Sequence, residues 1–161
     1  MIQSSYAVLS AGNFWDLQKK LENYTGIIFT LLGYTGGHIE NPNYQQVANG
    51  DSGHLEAVKV AYNKNLLTYE QILEIFFQLH NPYQLLPMSS RKKELFYPTV
   101  FYINEEQHQI AINKKHFLQQ KSKNLILTQI RPLEIFYPAE PYHQHFNIKP
   151  GQTSCCLTTE C

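Results

Sequence analysis

The sequence predicts an α+β domain in which one sheet and its helices form two layers. The first observation behind this prediction is that strand-like and helix-like patterns alternate along the whole chain, with no internal repeat or low-complexity segment. The second is a length of 161 residues, which suits one domain with a sizeable core. A hydrophobic fraction of 43% is also ordinary for a globular protein.

A strand, a tight turn and a helix open the chain. The β-prone and apolar residues of Ser4–Ser10 predict a buried strand, and Ala11-Gly12 lets the backbone turn tightly after it. Asn13 is a favourable helix N-cap. Apolar residues then recur at helical spacing, namely Phe14, Leu17 and Leu21. We therefore expect Asn13 to begin a helix that ends before Gly26.

Two more strands flank an unusually long loop. Residues 26–34 are rich in β-branched and aromatic side chains and predict a largely buried strand. Residues 55–62 predict a third strand, because their side chains alternate between two faces. Between them, residues 36–53 are mostly glycine, asparagine, proline and polar residues, and a routine connection has only about 4–6 residues. Loops of this length are usually functional.

The second half of the chain predicts two helices and two strands. Thr68 and Gln71 have the spacing of a capping box, and the helix they begin ends at Asn81-Pro82. Its inward stripe is expected to consist of Ile72, Ile75, Phe76 and Leu79. The other expected elements are a strand over 99–103, a helix that begins with Asn104 and Gln107 and carries Ile110, Ile112 and Phe117, and a strand over 125–130.

Charge and composition exclude several classes of partner. Thirteen basic residues balance thirteen acidic ones, so no net field attracts nucleic acid or an anionic membrane. No apolar run approaches the roughly 20 residues of a membrane helix, and the first residues lack the features of a secretion signal. We therefore expect a cytoplasmic protein with a small or neutral partner. The main basic cluster is interpreted as a solvated helix end and consists of Lys114, Lys115, Lys121 and Lys123.

Neither a metal site nor a disulfide framework is expected. His38, Asp51 and His54 have a spacing that fits no compact metal site. All three cysteines lie in the last seven residues, so they cannot staple a secreted scaffold. They are either a redox tail or a remnant without function: Cys155, Cys156 and Cys161.

Several motifs resemble those of the A-type peptide methionine sulfoxide reductases. Ala11-Gly12-Asn13-Phe14-Trp15 is similar to the Gly-Cys-Phe-Trp signature of that family. Further motifs follow in the family's order: Gly33-Tyr34-Thr35-Gly36-Gly37, Asn41-Pro42-Asn43-Tyr44, Gly50-Asp51-Ser52-Gly53-His54, Glu56-Ala57-Val58, His80-Asn81-Pro82, Phe136-Tyr137-Pro138-Ala139-Glu140 and Tyr142-His143-Gln144. The resemblance implies a two-layer α+β sandwich of ferredoxin-like type over residues 1–150, a flexible cysteine-containing tail over 151–161, and no cofactor or metal.

The resemblance implies a thiol-based reduction for which this chain lacks the nucleophile. A thiolate must attack the sulfoxide sulfur, and an acid must protonate the departing oxygen. A helix N-terminus lowers the pKa of such a thiol, and the family keeps its cysteine there. Asn13 occupies that position here, and a carboxamide caps a helix but offers no comparable nucleophile.

The other implied reacting groups are only partly kept. The Gly-His-x-Glu motif keeps the family's acid as Glu56, whose pKa burial could raise, and Tyr44 matches one of two tyrosines that bind the sulfoxide oxygen. Phe96 falls where the second tyrosine is expected, and Arg91 falls where the family has a supporting aspartate. These coordinated changes favour a native loss of the reductase chemistry over a single engineered substitution.

The resemblance also implies an aromatic pocket and a redox tail. Phe14 and Trp15 resemble the pair that embraces the substrate methyl group, and His143 lies in the best matched late motif. Without the resemblance, these three would be interpreted as core or structural residues, and Glu56 as part of a salt bridge. In the family, one or two late cysteines resolve the sulfenic acid and pass electrons to thioredoxin, and Cys155, Cys156 and Cys161 lie in that region.

Three functions are compatible with these residues. The first is a non-catalytic family member that binds methionine sulfoxide or a related thioether. The second is an active peptide-methionine (S)-S-oxide reductase that uses a tail cysteine and thioredoxin. The third is different chemistry on a small polar ligand, with Asn13, Glu56 and Arg91 as the polar set. A cation at position 91 would favour a carboxylate ligand.

Overall fold

Strands and helices alternate as predicted in a computed structural model that describes residues 1–87 and 95–145. The strands are β1 (Ser4–Ser10), β2 (Ile27–Thr35), β3 (Leu55–Asn63), β4 (Leu86–Pro87), β5 (Leu95–Phe96), β6 (Thr99–Tyr102), β7 (Gln129–Pro132) and β8 (Phe136–Pro138). The helices are α1 (Phe14–Leu21), α2 (Tyr44–Ala48), α3 (Tyr69–Leu79) and α4 (Glu105–Lys121), and a 3-10 turn covers Pro141–His143.

Six strands form one mixed sheet in the order β7-β6-β1-β3-β2-β8. All neighbours in it pair antiparallel except β6 and β7, which are parallel. The four central strands with α1 and α3 follow a β-α-β-β-α-β order. Helix α1 contacts β2 and β3, α3 contacts β1, and α4 contacts β6 and β7. The predicted α+β class is therefore confirmed.

The core lies between the helices and one face of the sheet. Strand β3 supplies this core with Val58, Val60 and Tyr62, as its alternation predicts. On the opposite face Ala57 packs with Val8 and Phe101 in a smaller cluster. The alternation thus places even-numbered residues of β3 towards the helices, and this side includes position 56.

The expectation of an unbroken loop over residues 36–53 is wrong, because that segment contains α2. The Asn43 side chain accepts a hydrogen bond from the Gln46 N–H, and the Gln46 side chain accepts one from the Asn43 N–H. This capping box holds a helix of only five residues. The spacing of Asn43 and Gln46 was the signal that would have predicted it.

The strand expected over residues 125–130 begins later than predicted. Strand β7 starts at Gln129, where the parallel ladder with Thr99 of β6 begins. Before it, the Leu127 N–H donates to the Pro82 carbonyl, so this backbone is bonded to a loop and not to a strand. Strand β8 was not predicted, because it has three residues and ends in Pro138 at a sheet edge.

Helix α4 packs Ile110 against the core but leaves the two other predicted apolar residues exposed. Ile112 and Phe117 are 40% and 48% exposed. The buried residues of the helix are Gln107, Ala111 and Lys114. The interpretation of Lys114 as part of a solvated helix end is therefore wrong. Its Nζ lies 3.7 Å from carboxylate oxygens of both Glu70 and Glu74, because α4 packs on the acidic side of α3.

Arg91, the three cysteines and the whole of segment 151–161 lie outside the described residues. Within the described ranges, no helix has the length and apolar character needed to cross a membrane.

Candidate functional site

The candidate site begins at the turn between β1 and α1, where Asn13 caps the helix. Gly12 has a φ of +75°, a left-handed conformation that favours glycine, and it turns the chain out of the sheet. The Asn13 carboxamide oxygen then accepts hydrogen bonds from the N–H groups of Trp15 at 2.9 Å and Asp16 at 3.3 Å. The predicted N-cap is confirmed, and the amide oxygen is engaged by the helix it begins.

A buried carboxylate faces the same helix end from β3. Glu56 is 1% exposed, and its Oε2 accepts a hydrogen bond from the Phe14 N–H at 3.3 Å. The Ser10 hydroxyl donates to the Glu56 carbonyl at 2.7 Å, which fixes β1 against β3 at this point. The partial positive charge of the α1 N-terminus favours an anionic group at this place. Asn13 and Glu56 thus both contact the first turn of α1.

Four aromatic or imidazole rings assemble beside this turn. Phe14 lies 5.4 Å from Trp15, 6.4 Å from Tyr44 and 5.8 Å from His143, measured between ring centroids. Tyr44 lies 4.5 Å from His143 and 5.8 Å from Trp15. These distances are typical of packed aromatic pairs. The structure therefore brings four predicted site residues into one group, which we call the aromatic cluster: Phe14, Trp15, Tyr44 and His143.

The carboxylate of Glu140 links Tyr44 of the aromatic cluster to Tyr34 of β2. Its Oε2 accepts a hydrogen bond from the Tyr34 hydroxyl at 2.7 Å, and its Oε1 accepts one from the Tyr44 N–H at 2.8 Å. Burial raises the pKa of Glu140, but these hydrogen bonds and the nearby His143 lower it by more. The pKa of Glu140 therefore lies below its ordinary value. Sequence reasoning did not identify Glu140 as a site residue, because its partners are distant in the chain.

His143 is a buried, neutral imidazole at neutral pH. It is 5% exposed, and burial lowers its pKa although Glu140 acts in the opposite direction. Its Nε2 lies 3.8 Å from a Glu140 oxygen, which is too long for a hydrogen bond. Neither ring nitrogen has a hydrogen-bond partner among residues 1–87 and 95–145. The imidazole therefore has unused hydrogen-bonding capacity beside Tyr44.

The segment after Glu140 is fixed to the sheet by one side chain. The Gln144 amide oxygen accepts from the Leu32 N–H, and its amide nitrogen donates to the Leu32 carbonyl, both at 2.9 Å. The next residue, His145, donates its backbone N–H to the Gln18 side chain at 3.1 Å. These bonds fix His143 between β2 and α1.

Asn13 also lines a cleft, and the predicted site residue Phe96 lies next to this cleft. This cleft has a volume of about 210 Å³ and is lined by Asn13, Lys20, His80 and Leu86, among others. Phe96 pairs with Leu86 in the ribbon of β4 and β5, and it packs half-buried against the main core. Phe96 is therefore adjacent to the cleft through its partner strand.

Of the residues considered as metal ligands, His54 has structural contacts at both ring nitrogens. His54 is buried, its Nδ1 accepts a hydrogen bond from the Gly37 N–H, and its Nε2 donates to the Ile39 carbonyl. A Cβ at Gly37 would lie 2.3 Å from the backbone nitrogen of His54 and 2.6 Å from its ring carbon Cδ2, so only glycine allows the two segments to approach this closely. In the described part of the chain, no three His, Cys, Asp or Glu side chains form a group that could hold a metal ion.

The chain is similar to known proteins over most of its length. A family model described as peptide methionine sulfoxide reductase matches residues 5–161. The peptide methionine sulfoxide reductase MsrA of Nautilia profundicola is 39% identical over 150 residues, which cover 92% of this chain and 86% of that protein.

Solved structures agree with this assignment. Reduced Mxr1 from Saccharomyces cerevisiae has a TM-score of 0.82 at 25% identity, covering 96% of this chain and 90% of Mxr1. Mxr1 in complex with Trx2 has a TM-score of 0.64 at 21% identity, covering 89% of this chain and 85% of that one. At this identity the similarity concerns the fold alone. By sequence and by fold, this chain belongs to the peptide methionine sulfoxide reductase family.

Proposed function

We propose that this chain is a non-catalytic member of its family, which binds a methionine sulfoxide or a related thioether without reducing it. The observation that carries the proposal is the role of Asn13. At the position proposed for the family's nucleophilic cysteine, this chain has a carboxamide whose oxygen caps α1. Reduction by the family's route requires a thiolate that bonds to the sulfoxide sulfur, and an amide is not nucleophilic enough to replace it.

The groups around Asn13 support binding. Trp15 is only partly buried and offers a ring face on which a sulfur-bearing methyl group packs well, and Phe14, 1% exposed, supports it from the core. Glu56 supplies a buried carboxyl group 3.3 Å from the Phe14 N–H, and His143 has two ring nitrogens without hydrogen-bond partners in the described residues. A sulfoxide oxygen accepts hydrogen bonds, so the ring N–H of His143 in the aromatic cluster would hold it.

The first experiment compares reduction of a methionine-S-sulfoxide peptide by dithiothreitol with the parent chain, Asn13→Cys and Asn13→Ser. Serine keeps the cap but provides no thiol, so it is the matched control for the cysteine variant. We expect no turnover with the parent and the serine variant, and turnover with Asn13→Cys alone or combined with Arg91→Asp and Phe96→Tyr. Turnover by the parent would overturn the proposal.

Binding is measured separately through Trp15, the only tryptophan of the chain. Its indole belongs to the aromatic cluster, so its fluorescence should respond to an occupied pocket. We expect a saturable change with the sulfoxide peptide, and an affinity about three- to tenfold lower after Tyr44→Phe if the hydroxyl binds the sulfoxide oxygen. Tyr83→Phe, an exposed site, is the control. The absence of a response at millimolar peptide would mean that the chain has the family fold but does not bind this ligand.

The alternative function is an active peptide-methionine (S)-S-oxide reductase that uses a cysteine of the C-terminal region and thioredoxin. It is favoured by relatives named as reductases, and by a yeast relative whose structure was solved in complex with Trx2. In this alternative, replacing the three cysteines with serine abolishes turnover: Cys155, Cys156 and Cys161. Activity that persists in this triple variant excludes the alternative.

We also propose the domain organisation and the cellular location that the sequence predicts. This proposal assigns residues 1–150 to the family domain and residues 151–161 to a cysteine-containing tail, in a cytoplasmic protein. Limited proteolysis followed by mass spectrometry tests the boundary, since cleavage confined to the last residues supports it.

A further inference from the structure

A separate cavity lies at the opposite end of the sheet from Asn13. It has a volume of about 320 Å³ and is bordered by Ser5 of β1 and Tyr62 of β3. These two residues pair with each other, whereas Ser10 and Glu56 lie at the other ends of the same strands. A strand rises about 3.3 Å per residue, so the two sites are roughly 15–20 Å apart. This second cavity, which we call the distal cavity, shares no residue with the aromatic cluster.

The beginnings of two helices meet at the distal cavity. Thr68 and Tyr69 border it from α3, and Asn104 and Glu106 border it from α4. The two helices have 11 and 17 residues, so both present the partial positive charge of a full helix N-terminus. Such helix ends favour a negatively charged ligand group.

Tyr69 provides an independent indication that a polar ligand group belongs in the distal cavity. Its side chain is 6% exposed, and its hydroxyl has no hydrogen-bond partner in the part of the chain that the structure describes. Burial and the neighbouring Tyr62 raise the pKa of Tyr69, so the phenol stays protonated and can donate a hydrogen bond to a ligand acceptor. Buried tyrosine hydroxyls usually have such a partner.

Charged groups of both signs border the same space. Lys64 lines the distal cavity and forms no ion pair within residues 1–87 and 95–145. Glu106 lines the cavity as well. Burial raises the pKa of Tyr62, the hydrogen bond with Ser5 opposes this effect, and Glu106 adds to it. Leu67 and Ile110 add apolar surface. Glu70 and Glu106 both line the cavity with Lys64, so a simple anion would meet two carboxylates and the cavity suits a ligand that carries both charges.

We propose that the distal cavity binds a small zwitterion of the α-amino-acid class with an apolar side chain. The ligand carboxylate pairs with Lys64 and the two helix ends, and accepts a hydrogen bond from the Tyr69 hydroxyl. The ligand ammonium group pairs with Glu106. Its side chain covers Leu67 and Ile110. This site is independent of the proposed function of the Asn13 site, because no residue is common to both.

The test uses L-leucine and its two half-molecules, 4-methylpentanoate without the ammonium group and 3-methylbutylamine without the carboxylate. Each is titrated into the full chain while the backbone amides of residues 68–71 and 104–107 are followed by nuclear magnetic resonance. We expect saturable shifts with leucine and affinities at least about tenfold weaker with either half, because each loses one set of charge contacts. No saturable shift with leucine, or equal binding of 4-methylpentanoate, overturns the proposal.

Variants of the lining residues test whether the distal cavity is a specific ligand site or only a water-filled space. Tyr69→Phe and Lys64→Gln should each weaken leucine binding about three- to tenfold, the effect of one hydrogen bond or ion pair, whereas Lys123→Gln should not. The free Tyr69→Phe variant should melt at the parent temperature or higher, because its hydroxyl has no partner in the described chain. A lower melting temperature would mean that the hydroxyl is already bonded within the protein. Leucine affinity unchanged by both variants would also contradict the proposal.

Discussion

The Tyr34 hydroxyl donates a hydrogen bond to the Glu140 carboxylate at 2.7 Å, although the two residues are 106 positions apart in the chain. Tyr34 is fully buried in β2, and Glu140 precedes the turn that carries His143. The bond therefore fixes the late part of the chain against the sheet at the edge of the aromatic cluster. Burial and the Glu140 carboxylate both raise the pKa of Tyr34, so the phenol stays a donor.

Tyr34→Phe is expected to destabilise the fold by about 1–3 kcal/mol, since it removes a charge-assisted hydrogen bond and leaves a partly buried carboxylate with one partner fewer. Urea unfolding measures the loss. Tyr83→Phe, at a 41% exposed position, serves as the control and should change little. An unchanged midpoint for Tyr34→Phe would mean that water replaces the phenol without cost.

Glu140→Gln is expected to change the response of stability to acid. The pKa of Glu140 is lower in the folded chain than its ordinary value of 4.5, so its ionised form stabilises the fold. This contribution is complete above pH 4.5 and is lost as the pH falls through the folded pKa. The stability difference between parent and variant should therefore shrink below pH 4.5 in urea titrations. A constant difference, or the same behaviour in exposed Glu134→Gln, would contradict this assignment.

His80 is expected to make the fold less stable in mild acid. Burial lowers its pKa from 6.5 to about 4, while the Phe76 carbonyl, 2.7 Å from Nδ1, opposes this shift. Between these values the unfolded chain binds a proton that the folded chain does not, so stability falls as the pH decreases from 6.5 to about 4. His80→Gln should reduce this slope and leave the contribution of His143, whose pKa burial also lowers, while exposed His116→Gln should keep the full slope. An unchanged slope in His80→Gln would contradict the prediction.

Lys114 is expected to contribute little net stability despite its two ion pairs. It is only 9% exposed and lies 3.7 Å from Glu70 and Glu74, whose side chains are 64% and 57% exposed. Lys114→Met should shift the unfolding free energy by less than about 1 kcal/mol, because lost attraction and avoided desolvation offset each other. Replacing both glutamates with glutamine should cost more, since it leaves a buried charge with fewer partners. The opposite order of the two effects would refute this interpretation.

Asn13→Ala is expected to destabilise the fold by about 1 kcal/mol, the usual effect of removing a helix cap. The Trp15 and Asp16 N–H groups lose the oxygen that they bond at 2.9 and 3.3 Å. Asn13→Ser keeps a capping oxygen and adds no charge beside Glu56, so it is the matched control and should retain the parent stability. Equal losses in both variants would mean that the cap geometry is not what stabilises α1.

The sequence predicted features that depend on neighbouring residues. The caps at Asn13, Thr68 and Asn104 follow from contacts two or three positions away, and each is present in the structure. The alternation of β3 likewise predicted which side chains enter the main core. Short-range rules of helix capping and strand alternation are sufficient for such features.

Features that depend on distant contacts were not predicted. Glu140 meets Tyr34 and Tyr44, which lie 106 and 96 residues earlier, and no local pattern marks such a carboxylate. The burial of Lys114 was also not predicted, since this side chain lies 3.7 Å from two glutamates of another helix while Phe117 of the same helix stays 48% exposed. Packing between elements decided these positions against the hydrophobic pattern.

The Gln144 amide bonds both backbone groups of Leu32, as a residue of a neighbouring strand would do. Strand β8 pairs with Gly33, Tyr34 and Thr35, and the Ala139 N–H also donates to the Leu32 carbonyl. The three residues of β8 cover the β2 edge at residues 33–35, and the Gln144 side chain extends this hydrogen bonding by one residue, to Leu32. The Leu32 carbonyl has a second donor in Ala139, but among the described residues its N–H has only the Gln144 amide oxygen. Without this side chain the N–H would lie open at the sheet edge, where unpaired backbone groups favour strand addition by a second molecule.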